Sequence, residues 1–305
     1  MNVLSLFDGM SCGQIALDQL GVKVDNYYAS EIDKYTIKVT QKNYPNTKQV
    51  GNVKEITEEF VRKISPINLL MGGSPCQNLS PAVIHRENYN QGLEGEKSSL
   101  FYEFVRIFGL AKKYNPEVKF LFENVAGMSD KDKDIISKTL SVDPIMINSR
   151  FFSAQDRKRY YWTNIEIGEL SEESNDVLGD ILEPVNVVNM IESNGRMNFW
   201  YKEFGEIDLE NRVAAKLNLS SYESINRVYN PKFKSPTLTT AQGGHRQVKV
   251  LQNWRPRKLL PIEYEKLQNV PVGYTRGVSN TQRYKMLGNG WTVDVIKHIF
   301  KGIKE

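Results

Sequence analysis

The chain has 305 residues, 40% of them hydrophobic and 25% charged, with a formal net charge of +4. That is the composition of an ordinary globular protein, long enough to bury a sizeable core as one large domain with an appendage or as two modest domains. No apolar run approaches the ~20 residues of a membrane helix. Cys12 and Cys76 are too few for a disulfide framework and suit a reducing cytosol, and His85, His245 and His298 are too scattered for a metal site.

The opening MNVLSLFDGM has no basic region before its apolar run, so it reads as a first strand and not as a signal peptide. That strand covers 3–7, and Ile15, Ala16 and Leu20 then share one side of a helix over 13–20. Further strands are expected at 27–32, 68–73 and 120–125. A long helix over 99–114 separates the last two. Leu100, Phe101, Phe104, Val105, Phe108 and Ala111 recur there at helical spacing, behind a serine suited to the N-cap. Strands alternating with helices predict an α/β fold with a mostly parallel sheet covered on both faces. Ligands of such sheets sit beyond the carboxyl ends of the strands. The alternation fades after about residue 165. The stretch 166–256 is acidic first and then basic, with SPTLTTAQGGHRQVKV reading as a hairpin or loop whose arms are 237–240 and 247–250. An amphipathic helix over 291–300 closes the chain.

Chemistry-bearing residues gather at the expected strand ends. Gly72-Gly73-Ser74-Pro75-Cys76-Gln77 follows an apolar strand, and its glycines and proline force a tight turn that presents the next side chain, a thiol. Cys76 is either an incidental cysteine or a nucleophile that needs nearby cations or helix-end dipoles to ionise. Glu123, also at a strand end, is either a capping acid or a catalytic one. In Gln155-Asp156-Arg157-Lys158-Arg159, alternate residues of a strand would share a face. Its two guanidiniums could then hold a carboxylate, phosphate or base carbonyl, or form a solvated basic edge. Phe7-Asp8-Gly9-Met10-Ser11-Cys12-Gly13 is a strand, a turn and a helix start, and Glu31 ends the next strand at the place of a ribose-binding carboxylate. Phosphate-binding loops usually avoid an acid such as Asp8, which favours a cofactor with a cationic reactive end.

Taken in order, Phe7-Asp8-Gly9…Gly13, Glu31, Gly51-Asn52-Val53, Gly73-Ser74-Pro75-Cys76-Gln77, Glu123-Asn124-Val125, Gln155-x-Arg157-x-Arg159 and Gly288-Asn289 resemble the DNA (cytosine-5)-methyltransferase family across nearly the whole chain. LSLFDGMSCG, FSAQDRKRYYW and the tail from Val270 look closest to the catalytic domain of eukaryotic de novo enzymes, while the compactness resembles bacterial or phage members. The resemblance implies a Rossmann-like S-adenosylmethionine-dependent methyltransferase fold over 1–165, completed by 280–305, with a small target-recognition domain and return segment over 166–279. It implies that Cys76 attacks carbon 6 of a flipped cytosine, Glu123 bonds the base, and Arg157 and Arg159 hold its oxygen and a phosphate. Phe7, Asp8, Gly9, Gly13, Glu31, Ile32, Asn52, Val53, Ser74, Leu100, Asn289 and Trp291 would bind S-adenosylmethionine, released as S-adenosylhomocysteine, with no metal. Asn52 stands where the family usually has Asp, and its amide can still accept from or donate to adenine.

Double-stranded DNA would be the partner. The contacts would be Gln77, Ser80, His85 and Arg86 on a long loop after Cys76, and Thr239, Gln242, Gly243, Gly244, His245 and Arg246 in the recognition region, where paired glycines permit close backbone approach. A cytoplasmic monomer with no membrane contact is expected, with a cognate restriction endonuclease as a candidate companion. An RNA methyltransferase on the same scaffold and a non-catalytic DNA-binding relative are the alternatives. The Cys-Phe-Thr motif typical of the RNA branch is not in the sequence, and the intact Cys76, Glu123 and two arginines argue against a non-catalytic relative.

Overall fold

The structure, a computed structural model, describes residues 1–75, 100–193, 198–241 and 245–303. The chain divides into two compact units. The first comprises Met1–Asn148, Lys158–Glu169 and Val295–Glu305, and the second Ser149–Arg157 and Leu170–Asp294. The expected division at 165 and 280 therefore differs from the observed one at both ends. Residues 149–157 go with the second unit because Gln155 donates to the Leu267 carbonyl and the Gln268 side chain, and Arg157 to the carbonyls of Leu238, Gly288 and Gly290.

In the first unit, β1 (Asn2–Leu6), β2 (Asn26–Ser30), β3 (Lys48–Gln49), β4 (Leu69–Gly72), β5 (Lys119–Val125), β6 (Ile145–Asn148) and β7 (Lys158–Thr163) form one sheet in the order β3-β2-β1-β4-β5-β7-β6. From β3 to β5 the pairing is parallel, and β7 runs antiparallel to both its neighbours. The helices are α1 (Cys12–Gln19), α2 (Lys34–Asn43), α3 (Glu58–Ile64), α4 (Leu100–Tyr114) and α5 (Asp130–Leu140). Side chains of Asp33, Thr57 and Ser129 accept backbone N–H groups at the starts of α2, α3 and α5, which fixes where those helices begin. The continuous apolar run of β4 is buried throughout, as a strand covered on both faces requires. Phe101, Phe104 and Phe108 of α4 pack ring to ring with Phe120 and Phe122 of β5, and Phe122 with Trp162 of β7. A Cβ on Gly72 would sit 2.8 Å from the Leu6 carbonyl oxygen and 3.3 Å from Phe104, so only glycine lets β4 end between β1 and α4.

The four strands expected from the apolar runs are all present, each within two residues of its expected bounds. β1 stops before Phe7 because that residue turns into the left-handed region at φ 56°.

In the second unit, β8 (Val213–Lys216), β9 (Arg227–Tyr229), β10 (Lys249–Gln252) and β11 (Arg255–Lys258) form a sheet in the order β11-β10-β9-β8. Ala214, Ala215, Leu217, Val228 and Leu251 make its apolar cluster. Helices α6 (Val185–Ser193), α7 (Glu223–Asn226), α8 (Pro261–Leu267) and α9 (Asn280–Asn289) belong to this unit, and α10 (Val293–Phe300) carries the chain back into the first. The anticipated pairing of 237–240 with 247–250 is not formed. β10 pairs with β9 and β11 instead. The 237–240 arm spends its groups elsewhere, Thr237 Oγ1 donating to the Asp156 carbonyl and the Leu238 N–H to Gln155 Oε1.

The unit is fastened by a fully buried ion pair. Arg257 makes two parallel bonds to Glu263, of 2.8 and 2.6 Å, while Glu263 also accepts the N–H groups of Leu260 and Glu183. Arg257 also donates from Nε to Gln252 and from Nη1 to the Lys258 carbonyl. Such a pair is tolerated only when complete. Glu263→Ala is expected to lower unfolding free energy by about 3–5 kcal/mol in urea titrations. The double variant Arg257→Met, Glu263→Leu should recover most of that loss, and a double variant no better than the single one would contradict this account.

Candidate active site

Strand order reverses at β1, which has β2 on one side and β4 on the other. Ligand crevices open beyond the carboxyl ends of strands at such a point. The β1 end is a tight loop in which Phe7, Gly9 and Ser11 all have positive φ, at 56°, 58° and 63°. For a phenylalanine this is a strained conformation, of the kind that persists at functional sites because the surroundings over-determine it. The surroundings here are explicit. The Asp8 N–H donates to the Ser30 carbonyl, the Gly9 N–H to Glu31 Oε2 at 2.8 Å, and the Ser11 N–H to the Asp8 carbonyl.

The half-buried Asp8 carboxylate accepts from Tyr27 Oη at 2.7 Å and from Ser11 Oγ. Burial pushes its pKa up to about 6, outweighing the hydroxyl donors Ser11, Ser5 and Tyr27, which favour the ionised form. Among the described residues no cation pairs with it. Glu31, at the end of β2, receives the Gly9 N–H on one oxygen and those of Ile32 and Asp33 on the other. Beside it Ile32 is 74% exposed, a large apolar side chain left open at a strand end. Asn52 caps the 3-10 turn Val53–Glu55 by accepting the Lys54 N–H, which leaves its amide NH2 as a donor, and Val53 is buried in the core. Gly13 lies buried inside α1.

The neighbouring strand ends carry the second cluster. Asn124 of β5 donates to the carbonyl and Oγ of buried Ser74, both at 3.4 Å, tying the end of β5 to the segment that leads into Cys76. Glu123, 9% exposed, pairs with Arg159 Nε at 3.0 Å. Register explains the reach. Val125 lies opposite Arg159 and Glu123 opposite Tyr161, so the first residues of antiparallel β7 stand at the carboxyl end of β5. Arg159 is further held by its bond to the Lys158 carbonyl.

The expectation that Gln155, Arg157 and Arg159 share one strand face is corrected. β7 begins at Lys158, so Gln155 and Arg157 precede it. Arg157 is 3% exposed and its guanidinium serves three backbone carbonyls, whereas Arg159 serves Glu123. Two of those carbonyls, of Gly288 and Gly290, lie at the C-terminal end of α9. A Cβ on Gly288 would overlap the Thr239 carbonyl oxygen, which is why glycine stands there. Thr239, His245, Arg246 and Asn289 are exposed and Trp291 is half-buried, all in the second unit, while Leu100 opens α4 in the first. Cys76, Gln77, Ser80, His85, Arg86, Gln242, Gly243 and Gly244 lie outside the described residues. Sequence reasoning did not reach Tyr27 or Ser11 as partners of Asp8. Tyr27 meets it only because β1 and β2 pair in parallel, with Val3 opposite Tyr27, and no local spacing signals this.

The model of the C-5 cytosine-specific DNA methylase family matches residues 1–305. The chain belongs to this family. It is thus a DNA (cytosine-5)-methyltransferase, an enzyme that methylates cytosine in DNA. This methylase is 24% identical over 433 residues to the orphan methyltransferase M.SPBetaI of Bacillus phage SPbeta, an alignment covering 99% of this chain and 97% of the relative. It is 34% identical to M.Rho11sI of Bacillus phage rho11s over 171 residues, 53% of this chain and 32% of that one. Its fold matches the Entamoeba histolytica methyltransferase EhMeth with a TM-score of 0.69 at 15% identity, covering 100% of this chain and 99% of the other. It also matches a mutant DNMT2 of Spodoptera frugiperda with a TM-score of 0.65 at 16% identity, covering 100% and 99%.

The raised pKa makes Asp8 a stability liability in the methylase by itself. Unfolded, the carboxyl ionises near its ordinary value of 3.8, and folded near 6. Between these values the folded state holds more protons than the unfolded one, so stability falls as pH rises and the cost is complete above about pH 6. Asp8→Asn should therefore raise the Tm of the ligand-free enzyme at pH 8 by about 2–4 °C or more and change little at pH 3.5. A calorimetric difference between variant and parent that does not grow between those pH values would refute this.

Proposed function

We propose that this methylase transfers the methyl group of S-adenosylmethionine to carbon 5 of a cytosine turned out of duplex DNA, through covalent addition of Cys76 to carbon 6. The supporting observation is the Glu123–Arg159 pair, held at the end of β5 beside the Ser74 segment that leads to Cys76. Carbon 5 of cytosine is a poor nucleophile, so a covalent route divides a hard step into easier ones. The Cys76 thiolate forms a bond to carbon 6 while the carbon 5–carbon 6 π pair moves to carbon 5. Glu123 bonds the amidine side of the base and supports protonation at N3, and Arg159 holds the base oxygen. Once carbon 5 carries the new methyl, a base removes its proton, the double bond re-forms and the thiolate is expelled. Neither face of a stacked cytosine is open to this attack, so the base must leave the helix.

The residues at the β1 and β2 ends fit the cofactor. Asp8 is a half-buried carboxylate with no cationic partner among the described residues, Gly9 has open space above it, and Glu31 beside exposed Ile32 offers acceptors and an apolar face for a nucleoside. Phe7, Gly13, Asn52, Val53, Ser74, Leu100, Asn289 and Trp291 complete the set. When bound, the cofactor supplies an electrophilic methyl on a sulfonium and leaves as S-adenosylhomocysteine. We assign Arg157 a positioning role, through the carbonyls it holds. Thr239, His245 and Arg246 of the second unit, with Gln77, Ser80, His85, Arg86, Gln242, Gly243 and Gly244, would contact DNA. Relatives described as orphan methyltransferases favour action without a paired endonuclease.

Duplex DNA containing 5-fluorocytosine should trap a covalent adduct with the wild type and none with Cys76→Ser. Absence of the adduct on methylatable DNA would overturn the covalent route. Arg159→Ala should lower kcat by about 10²–10⁴-fold, far more than the modest fall in Tm from leaving Glu123 without its cation accounts for. Arg157→Ala should instead lower Tm first, since it strands buried carbonyls at about 1–3 kcal/mol each. Asp8→Asn should weaken cofactor binding at least tenfold. Wild-type cofactor affinity should rise with pH through about 6 and then level off, because only the ionised carboxylate attracts a cation, and a flat calorimetric profile would contradict the assignment.

A further inference from the structure

One polar cluster of the second unit takes no part in the chemistry above. The Tyr201 hydroxyl lies 2.8 Å from Nδ1 of His245, with the two rings 5.6 Å apart. Tyr201 is anchored by its N–H to the Pro256 carbonyl, and the Lys258 ammonium sits 5.6 Å over its ring. Lys249 is opposite Lys258 in the β10–β11 register. It is 2% exposed and donates to the carbonyls of Ile225 and His245, which holds the His245 backbone in place. Among the described residues neither lysine forms an ion pair with a carboxylate. His245 itself is exposed.

The charge state of the imidazole follows from these neighbours. Burial first, then Lys258 and Lys249, pull its pKa below the ordinary histidine value, so the ring is neutral at pH 7. A neutral imidazole carries one donor and one acceptor. Burial keeps the Tyr201 hydroxyl protonated. A phenol is a stronger donor than acceptor, because its lone pairs are delocalised into the ring, and the ammonium above strengthens that bias. The hydroxyl therefore donates to Nδ1, and the proton of the imidazole resides on Nε2. A neutral, oriented N–H at an exposed position is poorly suited to anchoring a phosphate, which prefers charge. It is well suited to an acceptor on a base edge, where a purine N7, guanine O6 or thymine O4 is offered in the major groove.

We propose that Tyr201 is a positioning residue that fixes His245 as a neutral Nε2–H donor, and that this donor reads a major-groove acceptor in the DNA sequence the enzyme recognises. The inference rests on the reading that the second unit contacts DNA. Its test is methylation of duplexes randomised around the target cytosine, read by bisulfite sequencing, for wild type, Tyr201→Phe, His245→Ala and the double variant. Both single variants should relax preference at the same base pair about tenfold or more, and the double variant no further. In the free protein, imidazole 15N shifts should show the Nε2–H tautomer at pH 7, and a tautomer mixture in Tyr201→Phe. A charged ring or an Nδ1–H tautomer in the wild type would overturn the proposal whatever the variants do. So would unchanged preference in the variants, or a uniform loss on all sequences with a shallower salt dependence. Wild-type enzyme that leaves every duplex unmethylated sinks the underlying functional reading instead.

Discussion

An ionised carboxylate as enclosed as Glu123 is costly unless a cation and hydrogen bonds accompany it into the protein. Arg159 meets that requirement, and it can do so only because β7 is inserted antiparallel beside β5. Had β7 run parallel, its first residues would lie at the amino end of β5, a strand length from the glutamate. The reversed strand is thus the condition for a carboxylate–guanidinium pair at the end of the sheet where β1, β2 and β4 also deliver their loops. The ladder Gly72↔Phe122 then sets Asn124 against Ser74, and the requirement for glycine at 72 keeps β4 close enough to β1 for the register to hold.

The apolar runs made the parallel half of this arrangement legible, because strands covered on both faces are written as continuous hydrophobic stretches. The ends were legible as well: Asp8, Glu31, Ser74 and Glu123 all stand where a strand finishes. The antiparallel insertion was not. The first two residues of β6 are exposed, and β7 opens on the charged Lys158 and Arg159 before its aromatics, so neither strand reads as a continuous buried apolar run. The strand periodicity placed Gln155 and Arg157 on the same face as Arg159. Period 2 holds only where the strand exists, and it starts at Lys158. The two upstream side chains instead hold backbone of the second unit, a long-range role that leaves no trace in local spacing.

The same limit explains the loop over 237–241. Its alternation of threonines looks like a strand, but a strand needs a partner edge. Here the Thr237 hydroxyl donates to the Asp156 carbonyl and the Leu238 N–H to the Gln155 side chain, so the segment is held without a partner strand. Gly288 completes that docking from the other side, since any Cβ there would enter the Thr239 carbonyl. Motifs more than a hundred residues apart in the chain, Gln155-x-Arg157 and Gly288-Asn289, therefore make one packing unit, and their joint presence in the sequence has a structural reason independent of chemistry.

Asp8 exposes the opposing demands on the cofactor end. Its hydroxyl donors, Tyr27 and Ser11, stabilise the ionised form, yet burial prevails and the carboxyl holds its proton to about pH 6. A protein selected for stability alone would place an amide or an apolar residue there. The left-handed Phe7 beside it is a second unfavourable choice in the same loop. Both become reasonable if the loop is built to meet a cationic ligand. The charge that burial penalises in the free enzyme is the one a cation neutralises on binding, and a backbone already bent into shape loses no further entropy in closing on it.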